Sequence, residues 1–73
     1  MSKHLLDIAS DIKDRIIVLV QMIVTKQTAL SIAIKEDRSF LELMEMKSLI
    51  DSMIEEKRLL EACELYYLEL DCY

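Results

Sequence analysis

Lys35-Glu36-Asp37-Arg38-Ser39-Phe40-Leu41-Glu42 is where this chain turns back on itself. Four consecutive charged residues end one helical pattern, and Ser39-x-x-Glu42 then matches a capping box. There the serine hydroxyl and the glutamate carboxylate each satisfy an amide left orphaned at a helix start. The corner decides the fold because the chain offers no other. Its 73 residues include no glycine and no proline, the residues that supply positive-φ positions and rigid bends. The expectation is all-α: an antiparallel hairpin of two long helices, about 3–35 and 39–71, with a corner at 36–38, forming a single helical domain.

Upstream of the corner, one stripe advances in three- and four-residue steps through Leu5, Ile8, Ile12, Ile16, Leu19, Ile23, Leu30 and Ile34, with Lys26 at the missing level. Lys3, Asp7, Ser10, Asp14, Gln21, Thr25, Thr28 and Lys35 lie opposite, and Ser2 is placed to cap the start. The centre, Ile16-Ile17-Val18-Leu19-Val20-Gln21-Met22-Ile23-Val24, is apolar well beyond one face. A helix apolar nearly all round is a buried helix. Residues 16–34 approach the length of a membrane span, but Lys26 at the centre of one costs about 2.5–3.5 kcal/mol. Membrane insertion is therefore not expected.

Downstream, Met46, Leu49, Met53, Leu60, Cys63, Tyr67 and Leu70 trace a seam of about 3.5-residue period, as in supercoiled helices. Leu43, Ile50 and Ile54 broaden it, while Leu41, Leu59, Ala62 and Tyr66 lie on the far side. The charge block Glu55-Glu56-Lys57-Arg58 interrupts the composition, but Met53, Leu60 and Tyr67 keep register across it, so the helix is read as unbroken. Folding at residue 37 brings Arg15 near Glu56, and Lys26 near Glu45 or Asp51.

Apolar residues make up 53% of the chain. A domain this small buries only about 60% of its unfolded surface, so its core is expected to be completed by another polypeptide. Net charge is −5. It is concentrated after residue 38, where nine acids face three bases. That balance argues against nucleic acid, whose phosphates reward Lys and Arg. Cys63 and Cys72 are about 13 Å apart along a helix, too far to bridge. A free thiol pair and the absence of a signal-peptide pattern at Met1-Ser2-Lys3-His4 give a reducing, cytoplasmic expectation.

Chemistry finds little support. His4, the one histidine, stands with Asp7 and Asp11 in a terminal turn. Glu42/Glu45 and Glu61/Glu64 are the acid pairs that solvated helix edges produce. No metal, cofactor or catalytic group is expected. Cys63 reads as a buried, inert thiol on the seam, and a chain without glycine has no phosphate-cradling loop. The chain is read as non-enzymatic.

Two resemblances bear on function. Asp11-Ile12-Lys13-Asp14 through Lys35 looks like the first helix of the small all-helical chorismate mutases. Those enzymes hold a dicarboxylate with several inward arginines, and Arg15, Arg38 and Arg58 do not fall where that pattern needs them, so no mutase site is expected. Ala29 to Glu61, with Glu36-Asp37 followed by Leu41, Leu43, Lys47, Leu49 and Ile50, resembles the helical hairpins of flagellar and type III export chaperones. That likeness implies a role in binding other proteins.

Leu59 to Tyr73 holds all three tyrosines and four acids with no base. Tyrosines beside aliphatic residues are frequent anchors of binding surfaces. Leu59, Ala62, Tyr66, Glu69 and Tyr73 are the candidate partner-binding residues. Ile16, Ile17, Leu19, Val20, Ile23, Val24, Leu49, Met53, Leu60 and Tyr67 are the candidates for self-association. The expected function is an adaptor, chaperone or assembly factor that self-associates, most simply as a dimeric four-helix bundle, and packs against a helix or basic surface of another protein. The alternative is a small acidic inhibitor that occupies a basic site on an enzyme or nucleic-acid-binding protein.

Overall fold

A computed structural model describes residues 3–71. The chain is all-helical: α1 (Lys3–Lys35) and α2 (Phe40–Asp71) pack along each other as a hairpin. The rod measures 54 × 15 × 12 Å with a radius of gyration of 16.6 Å; a compact domain of this length would have about 11 Å. α2 runs unbroken through Glu55-Glu56-Lys57-Arg58.

The corner solves the missing-glycine problem with an aspartate. Asp37 has φ 59°, the left-handed conformation that usually falls to glycine at a helix C-terminus. The Arg38 amide donates to the Ala33 carbonyl at 3.1 Å and the Asp37 amide to Ile34 at 3.2 Å, the bond pair of a Schellman motif. α2 then starts on Ser39, whose Oγ accepts from the Glu42 amide at 3.2 Å. The other half of the expected box differs. The Glu42 carboxylate meets Arg38 at 3.4 Å, and Arg38 also reaches Glu36 at 3.3 Å. The guanidinium competes for that carboxylate because a charge-assisted bond is stronger than one to a neutral amide.

Aspartate tolerates the left-handed region but still has a Cβ. Asp37→Gly is expected to raise stability by about 1 kcal/mol, or roughly 4–8 °C in Tm, in a thermal melt followed by circular dichroism. An unchanged or lower Tm would show that the Asp37 backbone carries no strain.

Ala9, Leu19, Ile23, Ala33, Ile50 and Met53 are the buried apolar residues among those described. Leu19, Ile23 and Met53 form the central cluster, with Ile54 and Leu60 packed against it. On α1 this seam follows the expected stripe from Ile12 to Ile23, with Ala9 buried in place of the half-buried Ile8. Toward the corner Ala33 is buried instead, and Ile34 is 57% exposed. On α2 Met46, Met53, Leu60 and Tyr67 lie on the seam as expected, but its second column is displaced by one residue, from Leu49 and Cys63 to Ile50 and Glu64. The seam runs through Leu43, Met46, Ile50, Met53, Lys57, Leu60, Glu64 and Tyr67, while Leu49 and Cys63 are exposed. Side-chain reach explains the displacement. Centring the seam on Leu49 and Cys63 would bury Glu56, whereas Lys57 can lay its methylenes along the groove and keep its amine wet. Its Nζ reaches Glu61 at 3.3 Å.

The register places Arg15 Nε 3.1 Å from Glu56 Oε2, as the hairpin requires. Both groups are about half exposed, so the pair contributes at most about 1 kcal/mol and mainly penalises slipped registers. Reversing either charge alone should lower the urea midpoint slightly, and exchanging the two should restore it; a double variant no better than the singles would contradict the pairing. Lys26 makes no such pair among the described residues. Asp51 is held by Lys47 at 2.9 Å, one turn away on its own helix.

Candidate docking surfaces

Positions flanking the seam define two long sides of the ribbon. One carries Phe40, Met44, Leu65 and Leu68 of α2 beside Leu6, Ile17, Val20, Val24 and Ile34 of α1. The other carries Leu49, Leu59 and Tyr66 beside Val18, Met22 and Ile32, with the Arg15–Glu56 bridge across it. All fifteen of these apolar residues are exposed. Seven-residue repeats keep each set on its own side, since 3.5-residue packing returns a side chain to the same side every second turn.

On the Phe40 side an apolar groove of about 550 Å3 lies against the corner. Leu30, Ile34, Leu43, Met44 and the 78%-exposed Phe40 form its walls, with Lys47 and Asp51 on its rim. A second groove, of about 290 Å3, lies at the open end of the same side, between Leu6, Ala9, Lys13, Glu64 and Leu68. On the Tyr66 side a smaller hollow of about 200 Å3 runs over Val18, Met22, Thr25 and Lys26. The Thr25 and Thr28 hydroxyls donate to the carbonyls of Gln21 and Val24 at 2.9 and 3.0 Å, which satisfies them within α1.

The structure sorts the candidate residues. Leu19, Ile23 and Met53 are buried in the contact between α1 and α2 of one chain, with Leu60 packed against them and Ile16 and Tyr67 half-buried elsewhere on the same seam. Ile17, Val20, Val24 and Leu49 remain exposed. Leu59, Ala62, Tyr66 and Glu69 share an outward strip of α2, where Leu59 and Tyr66 are 61% and 58% exposed. The Tyr66 ring stands edge-on to Tyr67 with centroids 5.6 Å apart. Tyr73 and Cys72 lie outside the described residues. Cys63, expected to be buried, is an exposed free thiol.

Sequence reasoning did not single out the groove at the corner. Phe40 figures there only as a residue inside the capping box. Its spacing to Met44, Lys47 and Asp51, one position off the seam, was the available signal.

No group of three or more His, Cys, Asp or Glu that could hold a metal occurs among the described residues. The surfaces suit apolar side chains. The accessible surface is 5580 Å2, whereas a compact monomer of 8.6 kDa exposes about 4,700 Å2. By length and composition, α1 would also be able to cross a membrane, and 17% of its most apolar stretch is buried. No family model, curated protein or solved structure matches the chain.

Proposed function

We propose that the chain is a small non-enzymatic protein-binding module, an adaptor, chaperone or assembly factor that works by helix packing in a reducing, cytoplasmic setting. In this reading the hairpin self-associates into a dimeric four-helix bundle and presents its Tyr66 side to another protein. One observation carries it: among the described residues six apolar ones are buried, while sixteen large ones are exposed, fifteen of them along the two sides of the rod. Exposed apolar area of this extent on a polypeptide marks contact with another apolar surface. The resemblance of the stretch from Ala29 to Glu61 to the export-chaperone hairpins is what favours the adaptor or chaperone form of the reading.

The test uses Leu59→Ser combined with Tyr66→Ser. Affinity capture from cell extract, read by mass spectrometry, should retain a protein on the wild-type chain that the double variant loses, with helicity and mass equal for the two. Equal retention by both would remove the Tyr66 side from the account.

The acidic second half favours a second reading, an inhibitor of a basic site. Glu55 and Glu69, exposed on the outer side of α2, make no ion pair among the described residues. Capture that weakens steeply with added salt selects this reading, and salt-insensitive capture selects helix packing.

A further inference from the structure

The Phe40 side is complementary to itself when one copy is turned end for end. Along α2 it reads, outward from Ile54, Asp51 on one side and Arg58 on the other, then Lys47 and Glu61, then Met44 and Leu65, then Phe40 and Leu68. At every step an apolar residue mirrors an apolar one, or a base mirrors an acid. Along α1, about Val20, Ile17 mirrors Val24 and Leu6 mirrors Ile34, while Ser10 mirrors Ser31 and Lys13 stands opposite the neutral Gln27.

The two centres coincide. Leu30 and Leu43 share the groove at the corner, and Ala9 and Glu64 share the groove at the open end. With that register Val20 and Ile54 stand side by side at mid-rod, over the Leu19–Ile23–Met53 cluster. One two-fold axis therefore serves both helices.

The geometry points to a docking site for a second copy of this chain on the Phe40 side, head to tail, with the two-fold axis between Val20 and Ile54. This rests on the self-association proposed above and adds which side is used and which way round. α1 lies antiparallel to its partner's α1, and α2 to its partner's α2. The corner groove receives Leu65 and Leu68 of the other copy, and the open-end groove receives Phe40 and Ile34.

Two further facts favour a second copy as the occupant. The surface in excess of a compact monomer is about 900 Å2, against about 800 Å2 that each partner contributes to a standard interface. Charge selects the side. Two chains of −5 repel, but the Phe40 side is nearly balanced: Lys13, Lys47 and Arg58 face Asp51 and Glu61. The Tyr66 side carries Asp11, Glu42, Glu45 and Glu56 against Arg15 and Lys26. The other symmetric arrangement, corners together, would lay Arg58 and Asp51 over Ile17 and Val24 and desolvate Arg58 with no acid opposite it.

Asp51 and Arg58 are seven residues apart, about 10 Å along one helix, so they cannot pair within a chain. The test is their exchange, read as the dimer dissociation constant by sedimentation equilibrium. Asp51→Arg alone, or Arg58→Asp alone, should weaken the dimer about tenfold or more by setting like charges together twice. The combined exchange should recover most of that loss. Singles without effect, or an exchange no tighter than the singles, would overturn the arrangement.

Cross-linking reads orientation independently, in a background of Cys63→Ser and Cys72→Ser. Val20→Cys should oxidise to a covalent dimer, and Phe40→Cys should not, since the two corners lie at opposite ends of a 54 Å rod. A Phe40→Cys dimer would reject this orientation while leaving self-association standing. A wild-type chain monomeric at every concentration would reject both. Dimers lost only on phosphatidylcholine vesicles, with the chain recovered on the lipid, would assign this side to membrane instead.

Discussion

Leu19→Ala is expected to lower the free energy of unfolding by about 3–5 kcal/mol, the range for emptying a fully enclosed leucine site. Leu19 is 1% exposed and is the largest fully buried side chain described. It sits between Ile23 of its own helix and Met53 of α2, so truncation opens a cavity that two rigid helices cannot collapse. A domain of this length has a total stability of about 4–11 kcal/mol, and the substitution removes about a quarter of it or more. Urea unfolding followed at 222 nm measures the effect. Val24→Ala is the control: Val24 is 56% exposed in the single chain, and the loss should stay under about 1 kcal/mol when measured at dilution. Equal losses at the two positions would mean that the hairpin seam does not run through Leu19.

The second large effect concerns assembly. Val20→Asp should raise the dimer dissociation constant by two orders of magnitude or more. It places two carboxylates against each other at the symmetry axis and strips both of water, a combined penalty of about 3 kcal/mol or more. At micromolar concentration the particle mass should halve, and helicity should fall with further dilution as the apolar side loses its cover. Gln21→Asp adds the same charge one residue along, on the polar outer strip of α1, and should leave the mass unchanged. Dissociation by both variants would point to net charge rather than to a seam at Val20.

Much of the architecture was legible because helical periodicity survives any tertiary context. A glycine- and proline-free chain with one charged corner has few ways to fold other than two helices, and the 15–56 pairing followed from the position of that corner. The rotation of α2 about its axis was not legible. Leu49 and Ile50, or Cys63 and Glu64, are adjacent residues competing for one seam, and with apolar side chains nearly all round, period does not fix phase. Apolar content favoured Leu49 and Cys63. The reach of Lys57 and the Arg15–Glu56 bridge favour Ile50 and Glu64.

Ala9 and Ala33 escaped for a different reason. Small side chains add little to a hydrophobic stripe, yet they are buried because they let helices approach closely. Asp37 escaped because the left-handed corner advertises itself through glycine, and here it is filled without one. Of the docking surfaces, the outward strip of Leu59, Ala62 and Tyr66 could be read from spacing along α2. The grooves at either end of the Phe40 side could not, since each is built from both helices and exists only once the register is known.

The particle mass in solution tests the central claim, that another copy of the chain covers the exposed apolar residues of the Phe40 side. Multi-angle light scattering after size exclusion, from low micromolar to millimolar loading, should give twice 8.6 kDa with dissociation only at the dilute end. A uniform 8.6 kDa particle across that range, fully helical and soluble, would contradict it.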